Sequence, residues 1–250
     1  MDQAEDWISG EAISQHLGIS RAAVAKHVAA LRAEGHAIDA VTRKGYRLTV
    51  RHDALREQAL TTALHTRVLG RAGWTFLHTT PSTNLVAAQL AAQGGEEGHV
   101  VVAETQTMGR GRKGFTWFSA PRSIQFSVVL LPNAVQWDAE RFMYLGAQAV
   151  AAAARDLTGL AAEIKMPNDV LIEGRKIAGV LVETGYRGNE PEWAVVGIGC
   201  NVNTLPEEFP EAVRGITTSL FAASGAPVSR VALLALVLDK LEAAYQSLHG

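Results

Sequence analysis

Residues 104–117 read Glu-Thr-Gln-Thr-Met-Gly-Arg-Gly-Arg-Lys-Gly-Phe-Thr-Trp, which sets Arg110, Arg112 and Lys113 between Gly109, Gly111 and Gly114. Glycines at that spacing disfavour helix and strand, and they let a backbone come close to a ligand. Guanidinium forks and free backbone N–H groups both suit phosphate or carboxylate oxygens. Apolar runs at 100–103 and 123–131 flank the stretch and read as core strands. The pattern fits a basic loop that holds an anion. It also fits a solvated surface hairpin, and the loop alone does not choose between them.

Other polar groups stand at informative places. Ser82, Thr83 and Asn84 follow Pro81 at a strand-to-helix junction. They are helix N-cap types, and their hydroxyl and amide groups can also hydrogen-bond a ligand carbonyl or carboxylate. Lys165, Asn168, Asp169 and Lys176 interrupt an otherwise apolar segment, 163–183. Lysines are seldom buried unless paired or bound to an anion, although Lys176 follows a turn and can equally face solvent. Gly197 and Gly199, two apart in a strand-like run, leave one face of it bare, which suits close ligand approach; Asn201 and Asn203 end the run.

These groups need a scaffold, and the hydrophobic pattern supplies one over 71–250. A strand at 73–78 leads to a helix at 85–93. A long amphipathic helix covers 138–156, with Phe142, Leu145 and Ala149 on its stripe. Strands 170–172 and 177–182 meet at Glu173-Gly174, a hairpin signal. A closing helix starts at Ser229 and carries a wide apolar face from Leu233 to Leu248.

Residues 1–50 are organised differently. A short helix over 9–17, a turn at 18–20 and a second helix from Arg21 to about Glu34 form a helix-turn-helix, with Ser20 as N-cap and Gly35 as stop. Val24, Val28 and Leu31 make its apolar stripe. Two short strands around the basic turn Arg43-Lys44-Gly45 add a wing. Ser20, Arg21 and Lys26 on the second helix suit the DNA major groove, and Arg43 and Lys44 suit phosphates. The alternative is a helical pair used for packing or dimer contact. About eight residues precede Ser9, so the usual first helix is expected to be clipped or absent. Basic and acidic residues balance across the segment, so a monomer should bind DNA weakly. Residues 51–70 are mixed and polar and read as a linker with a short helix.

With 250 residues and a formal net charge of −2, the chain as a whole is no polyanion binder. Its one cysteine, Cys200, excludes an intramolecular disulfide and a cysteine-based metal cluster, and fits a reducing cytoplasm. The acidic N-terminus lacks a signal-peptide plan. The longest apolar stretch, around 145–154, is too short to span a bilayer. A cytoplasmic protein without membrane contact is expected.

Taken in order, Ser82-Thr83-Asn84, Glu104-Thr-Gln106, the loop 109–114 with Trp117, Lys165-Met-Pro-Asn-Asp169, residues 175–183 and Gly197-Ile-Gly-Cys-Asn201 resemble the biotin–protein ligases. The closer likeness is to the bifunctional form that also represses the biotin operon; Ser20-Arg-Ala-Ala with Lys26-His and Lys44-Gly-Tyr resemble its DNA-binding text. The resemblance implies an α+β fold, with a winged helix-turn-helix followed by a class II synthetase-like mixed β-sheet domain with helices. It implies two half-reactions. Biotin's carboxylate attacks the α-phosphorus of Mg-ATP to give biotinyl-5′-adenylate, and a lysine of a biotin carboxyl carrier protein then takes the biotinyl group. Carried over residue by residue, Ser82, Thr83, Asn84 and Gln106 bind biotin. Arg110, Gly111 and Arg112 close over carboxylate and phosphate. Lys176 lies by the reacting carboxylate, so Arg112 and Lys176 are the catalytic pair. Arg110, Trp117, Asn168, Asp169 and Asn201 serve the nucleotide, with Mg²⁺ near Asp169 and Asn201. Biotin operator DNA and an adenylate-dependent homodimer complete the implied partners.

Two departures matter. Phe115 stands where the family loop carries a second arginine, so one phosphate contact is expected to be missing. The chain ends at Gly250, where relatives continue into a small β-barrel domain, so that domain is expected to be absent. Met166 in place of the usual tryptophan is a tolerable apolar exchange. Competing readings are a lipoate or octanoate acyltransferase of the same superfamily, a non-catalytic sensor of biotinyl-adenylate that binds DNA, and a ligase that no longer binds DNA.

Overall fold

The computed structural model describes residues 7–33, 37–50, 53–132 and 137–248. The chain divides into two compact units, Met1–Ala54 and Leu55–Gly250.

The first unit holds α1 (Gly10–Leu17), α2 (Arg21–Ala33), β1 (Ala37–Val41) and β2 (Gly45–Val50). Ser9 caps α1 by accepting the Ala12 N–H at 3.0 Å, and Gly18 ends it in the left-handed region at φ 65°. Ser20 caps α2 by accepting from Ala23 N–H at 3.1 Å. Val24 and Val28 are buried as their spacing requires, while Leu31 at the end of the stripe stays exposed. β1 and β2 pair antiparallel around a turn with Arg43 at φ 73°. The expected stop at Gly35 lies outside the described residues, as do residues 1–6. Before α1 there is a bridge and no helical turn at 7–9: Ile8 exchanges both backbone hydrogen bonds with Tyr46 at 2.9 Å. Gly45 is required there, because a Cβ would lie 2.1 Å from the Ile8 carbonyl oxygen.

The second unit runs α3 (Glu57–Ala63), β3 (Trp74–Thr80), α4 (Thr83–Ala92), β4 (Val100–Gln106), β5 (Ile124–Leu130), α5 (Ala139–Thr158), β6 (Ala162–Lys165), β7 (Asp169–Ile172), β8 (Arg175–Arg187), β9 (Glu190–Cys200), α6 (Glu211–Arg214), α7 (Leu220–Ser224) and α8 (Arg230–Gln246). The strands form one seven-stranded sheet in the order β3-β4-β5-β9-β8-β7-β6. β3 and β4 are parallel and every other pairing is antiparallel. No helix among the described residues is long and apolar enough to cross a membrane.

The period-2 alternation of the strands sorts the two faces. Val100, Val102, Phe126, Val128, Val196 and Ile198 join α5 and α8 in the main core. Val101, Val129 and Val195 point the other way and pack on Ala87 and Ala91 of α4. By the same alternation Ser127, Gly197 and Gly199 share the α4 face, and there a cavity opens.

Residues 55–70, expected as part of a linker with a short helix, hold that helix as α3 but belong to the large unit. Leu55, Leu60, Leu64 and Leu69 are buried in its main core. Glu242 of α8 accepts the N–H groups of Arg67, Val68 and Leu69 at 2.6, 2.8 and 2.8 Å. The polar residues between those leucines disguise a buried stripe. Arg230 ties α8 to the site strands in a similar way. It is 2% exposed and donates to both Glu104 oxygens, at 2.7 and 3.2 Å, and to Ser123 O at 3.1 Å. Glu104 lies two residues before Gln106 on β4.

Truncating Arg230 leaves Glu104 and the Ser123 carbonyl without this donor inside the fold. Arg230→Ala should therefore lower the unfolding free energy by about 3 kcal/mol, measured by urea denaturation; a loss within about 0.5 kcal/mol would show that the pair carries little.

Candidate active site

One cavity of about 600 Å³ opens on the α4 face of the sheet. At one end it is lined by Ser82, Thr83, Asn84 and Gln106. α4 begins at Thr83, so Ser82 occupies the N-cap position, but its side chain makes no capping bond. Thr83 donates its N–H and hydroxyl to Gln106 Oε1 at 2.7 and 3.1 Å. The buried Ser127 hydroxyl lies 2.7 Å from Thr83 Oγ1 and 2.6 Å from Asn84 Oδ1. Asn84 Nδ2 donates to Glu183 Oε2 at 2.9 Å. Asn84 rests on Gly197, where a Cβ would come within 1.9 Å of its Oδ1.

Two residues along β9, roughly 7 Å away by strand geometry, the Trp117 indole lies on Gly199. A Cβ there would come 2.4 Å from the ring. The paired glycines do admit close approach, and the atoms that approach are the protein's own. Lys176 Nζ stands 5.6 Å from the indole centroid, a cation–π distance. Trp117 Nε1 is buried and has no hydrogen-bond partner among the described residues.

The glycine–arginine stretch resolves the two readings of it by satisfying both. It is a tight hairpin: Trp117 N–H donates to Gly109 O at 2.9 Å, Gly111 N–H to Phe115 O at 2.7 Å, and Arg110 bridges Thr116. The turn has Lys113 at φ 56° and Gly114 at φ 81°. Yet Arg110, Gly111, Arg112 and Lys113 line the cavity. Phe115 lines its mouth and is 74% exposed.

The far wall carries Lys165, Asn168, Asp169, Lys176 and Asn201. Lys176 is neither fully solvated nor unpaired: its Nζ lies 2.6 Å from Asp169 Oδ1, and it is about one third exposed. Asn168 donates to Val180 O at 3.0 Å and Asn201 to Thr218 O at 3.1 Å. Arg110 pairs with Glu183 at 2.8 Å, and Arg112 with Glu140 at the start of α5 at 2.6 Å. The neighbouring Cys200 thiol points into the main core, and burial pushes its pKa up to about 12, so no thiolate nucleophile is at hand. Among the described residues no group of three His, Cys, Asp or Glu side chains could hold a metal ion.

All twelve residues singled out for ligand chemistry thus line one cavity. Ser127, Glu183 and Glu140 were missed. Ser127 had a faint signal as a hydroxyl among the apolar residues of β5. Glu183 ends an apolar run, and Glu140 carries no sequence signal at all. The apolar wall Phe209, Val213 and Ile216 was also missed, because 206–217 has no periodic pattern. The DNA-directed residues sit in the first unit. Ser20 is the α2 cap. Arg21 and Lys26 are exposed, with Arg21 loosely paired to Glu11 at 3.9 Å. Arg43 and Lys44 project from the wing turn, Lys44 Nζ standing 5.9 Å from the Trp7 ring centroid.

Known proteins share this plan. Residues 76–201 match the biotin/lipoate A/B protein ligase family, and residues 1–47 match a helix-turn-helix domain. The bifunctional ligase/repressor BirA of Bacillus subtilis is 36% identical over 242 residues, covering 96% of this chain and 74% of that one. Its counterpart in Escherichia coli is 30% identical over 244 residues, covering 95% and 72%. Among solved structures, the biotin protein ligase from Aquifex aeolicus in complex with biotin and ATP superposes with a TM-score of 0.61 at 30% identity, covering 70% of this chain and 71% of that one. The chain belongs to the biotin–protein ligase family, in its bifunctional ligase/repressor form with an N-terminal helix-turn-helix domain.

Proposed function

We propose that this cavity joins biotin to ATP and passes the biotinyl group to a lysine of a biotin carboxyl carrier protein. One observation carries the reading: a neutral hydroxyl and amide cluster and a cationic wall face the same cavity, with Trp117 between them. A neutral polar head with an anionic tail fits that order. Ser82, Thr83, Asn84 and Gln106 receive the ureido end of biotin. Its carboxylate then lies toward Lys176 and Arg112, and ATP lies along Asn168, Asp169 and Asn201 with Arg110 and Trp117.

The chemistry follows from charge. A carboxylate oxygen attacks the α-phosphorus and pyrophosphate leaves. The acceptor lysine then attacks the acyl carbon and AMP leaves. Two anions must approach, so Arg112 and Lys176 offset their repulsion and the charge that builds on the phosphoryl oxygens. Closure of the hairpin over the mixed anhydride excludes water. Asp169 is the one carboxylate among the described wall residues, and Asn201, which donates its Nδ2 to Thr218 O, keeps its amide oxygen as acceptor. Few hard oxygen donors beside a phosphate site suit Mg²⁺, which keeps most of its shell as water and phosphate oxygen. There it would neutralise phosphate charge. Phe115 puts an apolar ring where an arginine would meet phosphate, so this hairpin closes with one cation fewer.

The first unit is proposed to bind biotin operator DNA through Ser20, Arg21 and Lys26, with Arg43 and Lys44 on phosphates. Its Arg21–Glu11 and Arg47–Asp39 pairs leave a modest positive face. Two copies are needed to supply two half-sites, so an adenylate-bound homodimer in the cytoplasm is the proposed repressor.

Biotin-dependent exchange of pyrophosphate into ATP tests the ligase, with lipoate and octanoate as comparison acids; exchange only with the latter two would transfer the chain to the acyltransferase reading. Lys176→Ala should slow single-turnover adenylation by about 100-fold or more, and Arg112→Ala should shorten adenylate retention by about tenfold or more; rates equal to the parent in both would refute the assigned roles. Gly197→Ala drives a methyl into Asn84, and a misplacement of ~1 Å is enough to raise the biotin KM by about tenfold or more. In a gel shift, operator DNA should be retarded more strongly with biotin plus ATP than with either alone; equal retardation would discard the repressor half.

A further inference from the structure

We propose that Glu183 is a positioning residue that couples the ureido end of the cavity to the glycine–arginine hairpin. The inference rests on the reading of that end as the biotin site. Glu183 is not itself a wall residue. It stands on β8 behind two residues that are. One carboxylate oxygen, Oε2, accepts from Asn84 Nδ2 at 2.9 Å; the other, Oε1, is 2.8 Å from Arg110 Nη1. Its side chain is only 26% exposed, against 48% for Arg110, so the pair sits at the edge of the solvent and not out in it.

Each bond constrains its partner. Asn84 is nearly buried, and its amide has two possible faces. The Glu183 bond holds Nδ2 on one side, which leaves Oδ1 to accept from the Ser127 hydroxyl; Ser127 Oγ can in turn accept from the Thr83 hydroxyl, and the Thr83 N–H donates to Gln106 Oε1. Gly197 gives the amide no room to retreat along β9. Arg110 is the first cation of the hairpin and its backbone pairs with Thr116, so a hold on Arg110 is a hold on the whole turn. A continuous polar chain therefore runs from Gln106 through Thr83, Ser127, Asn84 and Glu183 to Arg110. A ligand that shifts Asn84 moves the carboxylate that anchors the hairpin. An anion that captures Arg110 leaves Glu183 bonded to Asn84 alone. The two events are then linked through the one carboxylate they share.

Glu183→Gln tests this, because the amide oxygen can still accept from Asn84 while the charge that holds Arg110 is gone. Trypsin cuts after Arg110, Arg112 and Lys113, so loop cleavage reads the tether directly in the full-length protein. Unliganded Glu183→Gln should be cut there about threefold to fivefold faster than the parent, the scale of a partly exposed ion pair. Saturating biotin should slow cleavage of the parent and have little effect on the variant. In an Arg110→Gln background the Glu183→Gln change should add nothing further, whereas general loosening of the fold would add in either background; thermal melts confirm that each variant is folded. Equal unliganded cleavage of parent and Glu183→Gln, or additive effects in the double variant, would overturn the proposal. Calorimetric titration of the parent with biotin separates this from the reading of the site. Absent heat counts against the biotin site, while the unliganded cleavage rates still decide the tether.

Discussion

Five cationic side chains, Arg110, Arg112, Lys113, Lys165 and Lys176, face one cavity whose wall holds, among the described residues, a single carboxylate, Asp169. Like charges at such separations repel, more strongly as water is excluded. The fold answers by bringing carboxylates from three different elements. Asp169 of β7 meets Lys176, Glu183 of β8 meets Arg110, and Glu140 of α5 meets Arg112. Glu140 is the most exposed of the three and holds its arginine from the solvent side. Exposed pairs of that kind are weak, about 0–1 kcal/mol, so a polyanionic ligand that offers several oxygens can take the cations over. The cavity is thus lined by contacts that a polyanion can replace at little cost.

The sheet makes that arrangement possible. Alternation sends one row of apolar side chains into the α5 and α8 core and the other toward α4. On β9 the second row changes from Val195 to Gly197 and Gly199. The missing side chains are the space into which Asn84 and Trp117 fit. A side chain at 197 would strike Asn84, and one at 199 would strike the Trp117 ring. Behind the sheet, Arg230 anchors Glu104, and with it the strand that presents Gln106. Positioning in this site is therefore a matter of backbone close approach backed by buried polar anchors.

The helix-turn-helix unit is built by other means. Two side-chain caps and a short apolar stripe define its helices, and the bridge between Ile8 and Tyr46 ties the chain before α1 to the wing. Arg47 lies over the Trp7 ring at 4.9 Å and pairs with Asp39, so one wing cation is committed to the fold, while Arg43 and Lys44 are exposed at the wing turn.

Much was legible in the sequence because it was local. N-caps at Ser20 and Ser229, the hairpin at Glu173-Gly174, the glycine–arginine turn and the spacing of Gly197 and Gly199 depend on neighbouring residues, and a linear string records those. Through the family they resemble, the ordered motifs also picked out twelve residues that line the cavity. What only the tertiary structure decided is which groups meet across long separations. Nothing in the string pairs Glu140 with Arg112, sets Ser127 beside Asn84, or turns the 55–70 segment into core under α8. Those contacts follow from sheet order and helix placement, and both are set by the summed burial of the whole unit and not by any local pattern. The same holds for Glu183: the sequence puts it at the end of an apolar strand, and the fold alone sets its two oxygens between Asn84 and Arg110.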